Sequence, residues 1–393
     1  MADEEHDERE PEQIRAEARA IWMRLGVAVV IIVGAAFGLG LASGGRVLDP
    51  PKGTYDPGTT DPIKAAMPGL RSFVESTRGL DFTGSVPVKV VDQNLLHNRI
   101  QERLIPKKQR PFTDHAATDQ ALGFEPSATG AASAVISPDP RGLYDYTDHT
   151  IYLAAGDFTD YHRALLVNLL TVAVDDQNFG LARLVTQAAP NLDALRSADA
   201  LIAGDATRVE LAYVDRQTGS VQKKIRAAHD YDARATTFQQ NDLLFPTAAG
   251  ADFAGQVAEQ KGNAGIDDAF RNPPEGTSLI LDPSQFLERK APVTVRAPDR
   301  QGPIIDRGTI GQFGLAMLVT QGRSYQNAGE ASSWLGDSFI TFRSQGRACV
   351  LDNMLVSGAV ARDQLAAQLR RTLPGATVTL SSVDQSFTLR MCG

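Results

Sequence analysis

The chain has 393 residues and a formal net charge of −8, with 42% hydrophobic and 22% charged residues. This is the composition of an ordinary globular protein, long enough for one large domain or two medium ones with appendages. The acidic balance and the absence of a long Lys/Arg run argue against nucleic-acid binding, which needs a basic patch or stripe. No repeat of fixed period and no low-complexity tract is present.

Residues 1–24 form an acidic tail. From Leu25 to Gly45 the sequence LGVAVVIIVGAAFGLGLASGG carries no charge, and it is long enough to cross a bilayer, which takes about 20 apolar residues. A cleaved signal peptide has a shorter apolar core of about 7–15 residues. The expectation is therefore an uncleaved single-pass anchor at 25–45, with Ala42, Ser43 and Gly44 leaving cleavage open. Arg15, Arg19 and Arg24 precede the segment closely, and Arg46 and Lys52 follow it. That bias places the N-terminus in the cytoplasm and the rest of the chain outside the cell membrane. Gly34 and Gly38 give a GxxxG spacing that lets two helices approach, the candidate contact of a homodimer. Residues 46–62, rich in Pro, Gly, Asp and Thr, read as a linker, and the folded domain is expected from 63 to 393.

Within that domain the first part, 63–135, reads as helix, strand, helix. IKAAMPGLRSFVESTRGL has helical apolar spacing interrupted by Pro68, VPVKVV alternates as a strand, and QNLLHNRIQERL returns to the helical period. The second part, 136–275, opens with two strands in SAVISPDPRGLYDYTDHTIYLA, with a turn predicted at Asp139–Gly142. A long helical stretch follows from Asp160, with Leu165, Leu166, Leu169, Leu170, Ala173 and Val174 on an apolar face. LDALRSADALIAGDATRVELAYVDRQ is a second helix, and further helices are expected over 221–270. The third part, 276–393, reads as strands at APVTVRA, DSFITFRS, ACVLDNMLV and VTLSSVDQSFTLRMC, with a helix at 359–372. The whole is α+β. The two cysteines, Cys349 and Cys392, both fall in this last part. A disulfide is the expectation if the part lies in an oxidising compartment, and two unrelated buried thiols are the alternative.

Several short segments carry a resemblance in the same order along the chain. GLYDYTDHTIYL at 142–153, NLLTVAVDDQNFGL at 168–181, LIAGDATRVELAY at 201–213, LLFPTAAGADFAGQV, NPPEGTSLILDPSQF and SSWLGDSF are similar to segments of a prokaryotic, notably actinobacterial, family of gluzincin-type zinc metallopeptidase-like proteins. The resemblance covers nearly all of 65–393 and implies a zincin-like α+β domain. In such a family the active helix reads His-Glu-Leu-x-His, and a Glu on the next helix is the third zinc ligand. Two His at i and i+4 point from one helix face to one metal, and the adjacent Glu takes a proton from the metal-bound water. By the resemblance the first His position is Asn168, the base position Leu169, the second His position Val172, and the third ligand position Ala203. Farther on, where the family has a Glu and a His, this chain has Ser278 and Asp282. The resemblance thus implies zinc in active relatives only, and neither metal nor cofactor in this chain.

What persists of the motifs is Tyr144-Asp145, Asp175-Asp176-Gln177, Phe179, Gly204-Asp205-Ala206 and Gly336-Asp337. Asp176 and Asp205 are read as residues that hold the helices by hydrogen bonds, since buried polar groups need partners. If an old cleft survives, its candidate binding residues are Asn168, Asp176, Asp205, Tyr144 and Asp282. A replacement zinc site from His149, His162 and Asp145 has no paired spacing to support it. No Gly-x-Ser-x-Gly elbow and no phosphate loop occurs. The expected function is a membrane-anchored pseudo-metallopeptidase that binds or scaffolds an envelope protein, peptide or polymer. The alternatives are a hydrolase with a site foreign to the family and a purely structural envelope protein. An open groove beside Asn168, Val172 and Ala203 would favour binding there; an apolar plug would favour filling.

Overall fold

The computed structural model describes residues 61–104, 110–124, 141–228, 237–326, 328–382 and 384–393, with the backbone alone for 101–104 and 110–114. The acidic tail, the segment 25–45 with Gly34 and Gly38, and all but the end of the linker lie outside the described residues. Among the described residues no helix is long and apolar enough to cross a membrane.

The chain enters through α1 (Asp61–Arg78), then β1 (Val88–Val91), α2 (Gln93–Leu104) and α3 (Arg110–Ala121). Helix α1 runs on through Pro68 without a break; the proline stands on its exposed side. Strands β2 (Gly142–Asp145) and β3 (Thr150–Ala154) complete a three-stranded sheet of order β1-β3-β2, in which β1 is parallel and β2 antiparallel to β3. The turn of this hairpin is at 146–149; of the predicted turn at 139–142, Asp139 and Pro140 lie outside the described residues, and Gly142 belongs to the strand. The reason is local. The Asp145 carboxylate accepts from Thr147 N at 2.9 Å and Thr147 Oγ1 at 2.7 Å, an Asx turn, and His149 takes a left-handed φ of 52°.

The helical body follows: α4 (Asp160–Phe179), α5 (Leu181–Ala188), α6 (Leu192–Asp215), α7 (Gly219–Ala228) and α8 (Phe238–Arg271). Helix α4 is buried all round from Ala164 to Asp176, as a helix with apolar residues on every side must be. Gly180, at φ 71°, ends it and redirects the chain into α5. Helices α4 and α6 run antiparallel, with Asn168 level with Glu210 and Asp175 close to Asp205. Helices α6 and α8 touch backbone to backbone. A Cβ on Gly204 would overlap the Gly250 carbonyl, and one on Gly250 would overlap that of Ala200. Helix α8 bends at Gly262, where φ is 65°.

The C-terminal part holds α9 (Thr277–Leu281), α10 (Pro283–Leu287), β4 (Ile304–Gly308), α11 (Gly311–Thr320), β5 (Trp334–Ser344), β6 (Arg347–Val356), α12 (Ala359–Thr372), β7 (Thr377–Leu380) and β8 (Ser386–Cys392). The five strands form an antiparallel sheet of order β4-β5-β6-β8-β7. Cys349 and Cys392 stand opposite one another on β6 and β8 and are joined by a disulfide. The predicted strand APVTVRA is not one. Pro292 and Pro298 bracket it, and it crosses the sheet with single bonds, Val293 N to Leu335 O and Asn353 Nδ2 to Arg296 O. Gly336 lets it approach, because a Cβ there would overlap the Val293 carbonyl. One hydrophobic cluster runs from Ile63 in α1 to Leu389 in β8, so the helical and sheet parts share a core. The architecture is α+β.

Candidate functional site

The four positions that the resemblance assigns to zinc chemistry sit in the densest part of this core. Asn168, Leu169 and Ala203 have no exposed surface and Val172 has 2%. Leu169, Val172 and Ala203 all belong to the main hydrophobic cluster. Above Leu169 runs β2, so close that a Cβ on Gly142 would lie 2.9 Å from the Leu169 Cδ1. Asn168 donates from Nδ2 to Glu210 Oε2 at 2.9 Å, and Glu210 is itself buried. The residue of α6 that reaches Asn168 is therefore Glu210, two turns beyond Ala203. Its spacing of seven from Ala203, which returns to nearly the same helix face, was the signal in the sequence that could have pointed to it. One amide and three hydrocarbon side chains do not fit zinc, which needs imidazole, thiolate or carboxylate. The place is an apolar plug with one internal hydrogen bond.

One to two turns farther along α4 the side chains change character. Arg78, at the C-terminus of α1 and fully buried, bonds from Nε to Asp175 Oδ1 at 3.0 Å, pairs with Asp205 Oδ2 at 2.6 Å, and bonds from Nη1 to Asp267 Oδ1 at 2.7 Å. Arg208 adds a second cation to Asp205, 2.8 Å from Nε to Oδ1. Burial works against the Arg78 charge, but the three carboxylates outweigh it and raise its pKa. Burial pushes Asp175 well above the carboxylate range, with Arg78 opposing, while Arg78 and Arg208 overcome burial at Asp205 and hold it low. The bend at Gly262 serves this cluster. Past it, Asn263 bonds to Thr77 O and accepts from Arg208, and Asp267 reaches Arg78. Phe179 and Phe270 stack at 4.9 Å between ring centres, with Arg78 5.8 Å from each.

Asp176 faces the other way. It accepts from Leu181 N, 2.9 Å, and so fixes the turn into α5; its other oxygen accepts from the Tyr144 hydroxyl at 2.9 Å and meets His149 Nδ1 at 2.9 Å. The His149 side chain is 63% exposed. Gln177 accepts from Gly84 N at 3.0 Å. Of the five candidate binding residues, Tyr144 and Asp176 are in contact. Asn168 serves Glu210, Asp205 serves Arg78 and Arg208, and Asp282 caps the short α10 by accepting from Ser284 N and Gln285 Nε2. His162 is buried in the capping box of α4 with Thr159, so it and His149 do not share a site. Asp337 accepts from the backbone N–H of Ile310 and Gly311 and from Trp334 Nε1, which fixes the start of α11 against β5. Elsewhere an open groove of about 530 Å³ lies between α1 and the approach to β1, with Lys64, Met67, Arg71, Glu75, Val86 and Val88 among its lining.

No protein-family model matches the chain, and neither does any curated protein or any solved structure. Asp145, Asp175, Asp176, Gln177, Asp205 and Asp337 each hold a hydrogen bond or ion pair within the fold, while Leu169, Val172 and Ala203 are packed in the core and Asn168 donates to Glu210.

Proposed function

We propose that this chain is a membrane-anchored, peptidase-like scaffold without hydrolytic activity, whose extracytoplasmic domain binds or braces a protein, peptide or polymer of the cell envelope by its outer surface. One observation carries the reading. Asn168, Leu169, Val172 and Ala203 are packed solid beneath β2, so the old cleft is filled and a partner must be met elsewhere. Without imidazole or carboxylate at these positions no metal-bound water of lowered pKa arises, and with Leu169 at the base position nothing takes its proton. The anchor and its orientation rest on the sequence, and the disulfide between Cys349 and Cys392 is in keeping with an oxidising compartment.

The test uses the full chain purified in detergent. Elemental analysis after dialysis should give no stoichiometric zinc, and a broad peptide library should stay uncleaved. One tightly held zinc per chain, or cleavage that a chelator stops, would overturn the reading. A reporter active only outside the cytoplasm, fused after Gly393, should be active. The rival hydrolase reading has one observation in its favour: Asp176 holds His149 through Nδ1, which leaves Nε2 toward solvent as a potential base. Cleavage that disappears in His149→Ala and resists chelators would establish that rival.

A further inference from the structure

Helix α3 is fastened to the rest of the domain by a second buried cluster that neither the motifs nor the proposed function uses. His115 places Nδ1 2.9 Å from Asp306 Oδ2 on β4 and Nε2 2.8 Å from the carbonyl oxygen of Ala189, just past α5, and it has no exposed surface. A carbonyl only accepts, so Nε2 carries a proton. The Asp306 carboxylate already accepts from Thr118 Oγ1 at 2.6 Å and Arg307 N at 2.8 Å, so Nδ1 must donate as well. The ring is then the doubly protonated imidazolium.

One turn on, Asp119 lies 4.0 Å from Arg196 of α6, which bonds from Nε to Asp242 of α8 at 2.8 Å. Asp119 is 3% exposed, and its Oδ1 has no hydrogen-bond partner. Behind Arg196, one turn earlier on α6, Asp193 is held by Thr277 N and Oγ1. From β5 the cluster meets the Thr341 hydroxyl, 2.7 Å from Thr118 Oγ1. The backbone of Gly393, after β8, packs against Gln120 and Ala121. Four carboxyl groups, Asp119, Asp193, Asp242 and Asp306, therefore face two cations, His115 and Arg196. A buried cluster avoids unbalanced charge, and this one is neutral only if two carboxyls keep a proton. Asp119, whose Oδ1 no donor serves, is well suited to hold one of them.

We propose that His115, Asp119, Arg196, Asp242 and Asp306 form a proton-charged latch that pins α3 across the helical body and the five-stranded sheet in mildly acidic and neutral surroundings and loosens it as the surroundings turn alkaline. The electrostatics agree. Burial pushes Asp119 up to about 7, with Arg196 opposing, and Asp242 up to about 6. For His115, burial is outweighed by the hydrogen bond and charge of Asp306, so its pKa is raised. Each of these groups binds a proton more tightly in the folded than in the unfolded chain. Their contribution is fully present below the unfolded pKa and is lost as pH rises through the folded one. For Asp119 that window runs from about 4 to about 7, and for His115 it begins near 6.5.

The test measures unfolding of the full chain in detergent between pH 5 and pH 8, beside Asp119→Asn and Asp242→Asn. Either substitution removes one carboxylate from the cluster and with it the need for one retained proton. One retained proton makes the folding constant of the wild type fall by about tenfold per pH unit inside its window. Both variants should lose that one-proton dependence. At pH 8 the amides of residues 115–121 should exchange more slowly in Asp119→Asn than in the wild type. If one variant fails to fold, the other decides. An unchanged pH slope in the variant that folds, with unchanged exchange in α3, would overturn the latch.

Discussion

The two ends of α4 use their side chains in opposite ways. From Ala164 to Val174 the helix contributes volume: Leu165, Leu166, Leu169, Leu170 and Val172 belong to the main hydrophobic cluster, and the polar Asn168 donates to Glu210. From Asp175 to Phe179 it contributes specific partners. Asp175 meets Arg78, Asp176 meets Leu181 N and Tyr144, Gln177 meets Gly84 N, and Phe179 stacks on Phe270. The difference shows which end of the helix depends on specific partners. A buried Arg with three carboxylates cannot lose one member without leaving the others desolvated and unpaired.

This contrast can be broken by substitution. Arg78→Met should be the most damaging change at the polar end, costing about 3–5 kcal/mol, because it leaves Asp175 and Asp205 buried without their shared cation. Chemical denaturation measures it, and a loss below about 1 kcal/mol would mean that the cluster is dispensable. Gly204→Ala should cost about 1–3 kcal/mol, since the added methyl meets the Gly250 backbone and forces α6 and α8 apart; a melting temperature equal to wild type would show that the helices can slide. Tyr144→Phe should cost about 1 kcal/mol for its hydrogen bond to Asp176. Removing exposed His149 should change stability by no more than about 0.5 kcal/mol. If His149→Ala proved the more costly of these two, Asp176 would depend on its surface partner rather than its buried one.

Much of this contrast was legible in the sequence, and the limits have physical causes. Helical period located α2, α6 and α12, and the absence of His and Glu at 168, 169, 172 and 203 could be read residue by residue. Asp176 and Asp205 were recognisable as hydrogen-bonding residues of the scaffold, but their partners were not. Arg78 lies 97 residues from Asp175 and 189 from Asp267, a separation no local pattern encodes. Gly142 was read into a turn because Asp-Pro-Arg-Gly is a strong composition signal, whereas it begins β2, and an Asx turn with a left-handed His149 makes the hairpin turn. APVTVRA alternates like a strand, but its prolines and its single bonds to the sheet keep it irregular. Strand β4 and helix α11 went unread, since the capping of α11 comes from Asp337, 26 residues downstream of Gly311. That Leu169 is buried also lay beyond the sequence, because an exposed and a buried Leu169 are written alike.

Leu169 therefore offers the most direct measurement. Leu169→Glu supplies the residue that the resemblance expects at the base position and places a carboxylate under Gly142, where the packing leaves no space for it. If the site is filled, the full chain carrying this change should lose about 4 kcal/mol or more of stability at pH 8, and less at pH 5, where the buried carboxyl can take up a proton. A variant as stable as wild type at both pH values would mean that position 169 opens to solvent, and the account of a plugged site would be wrong.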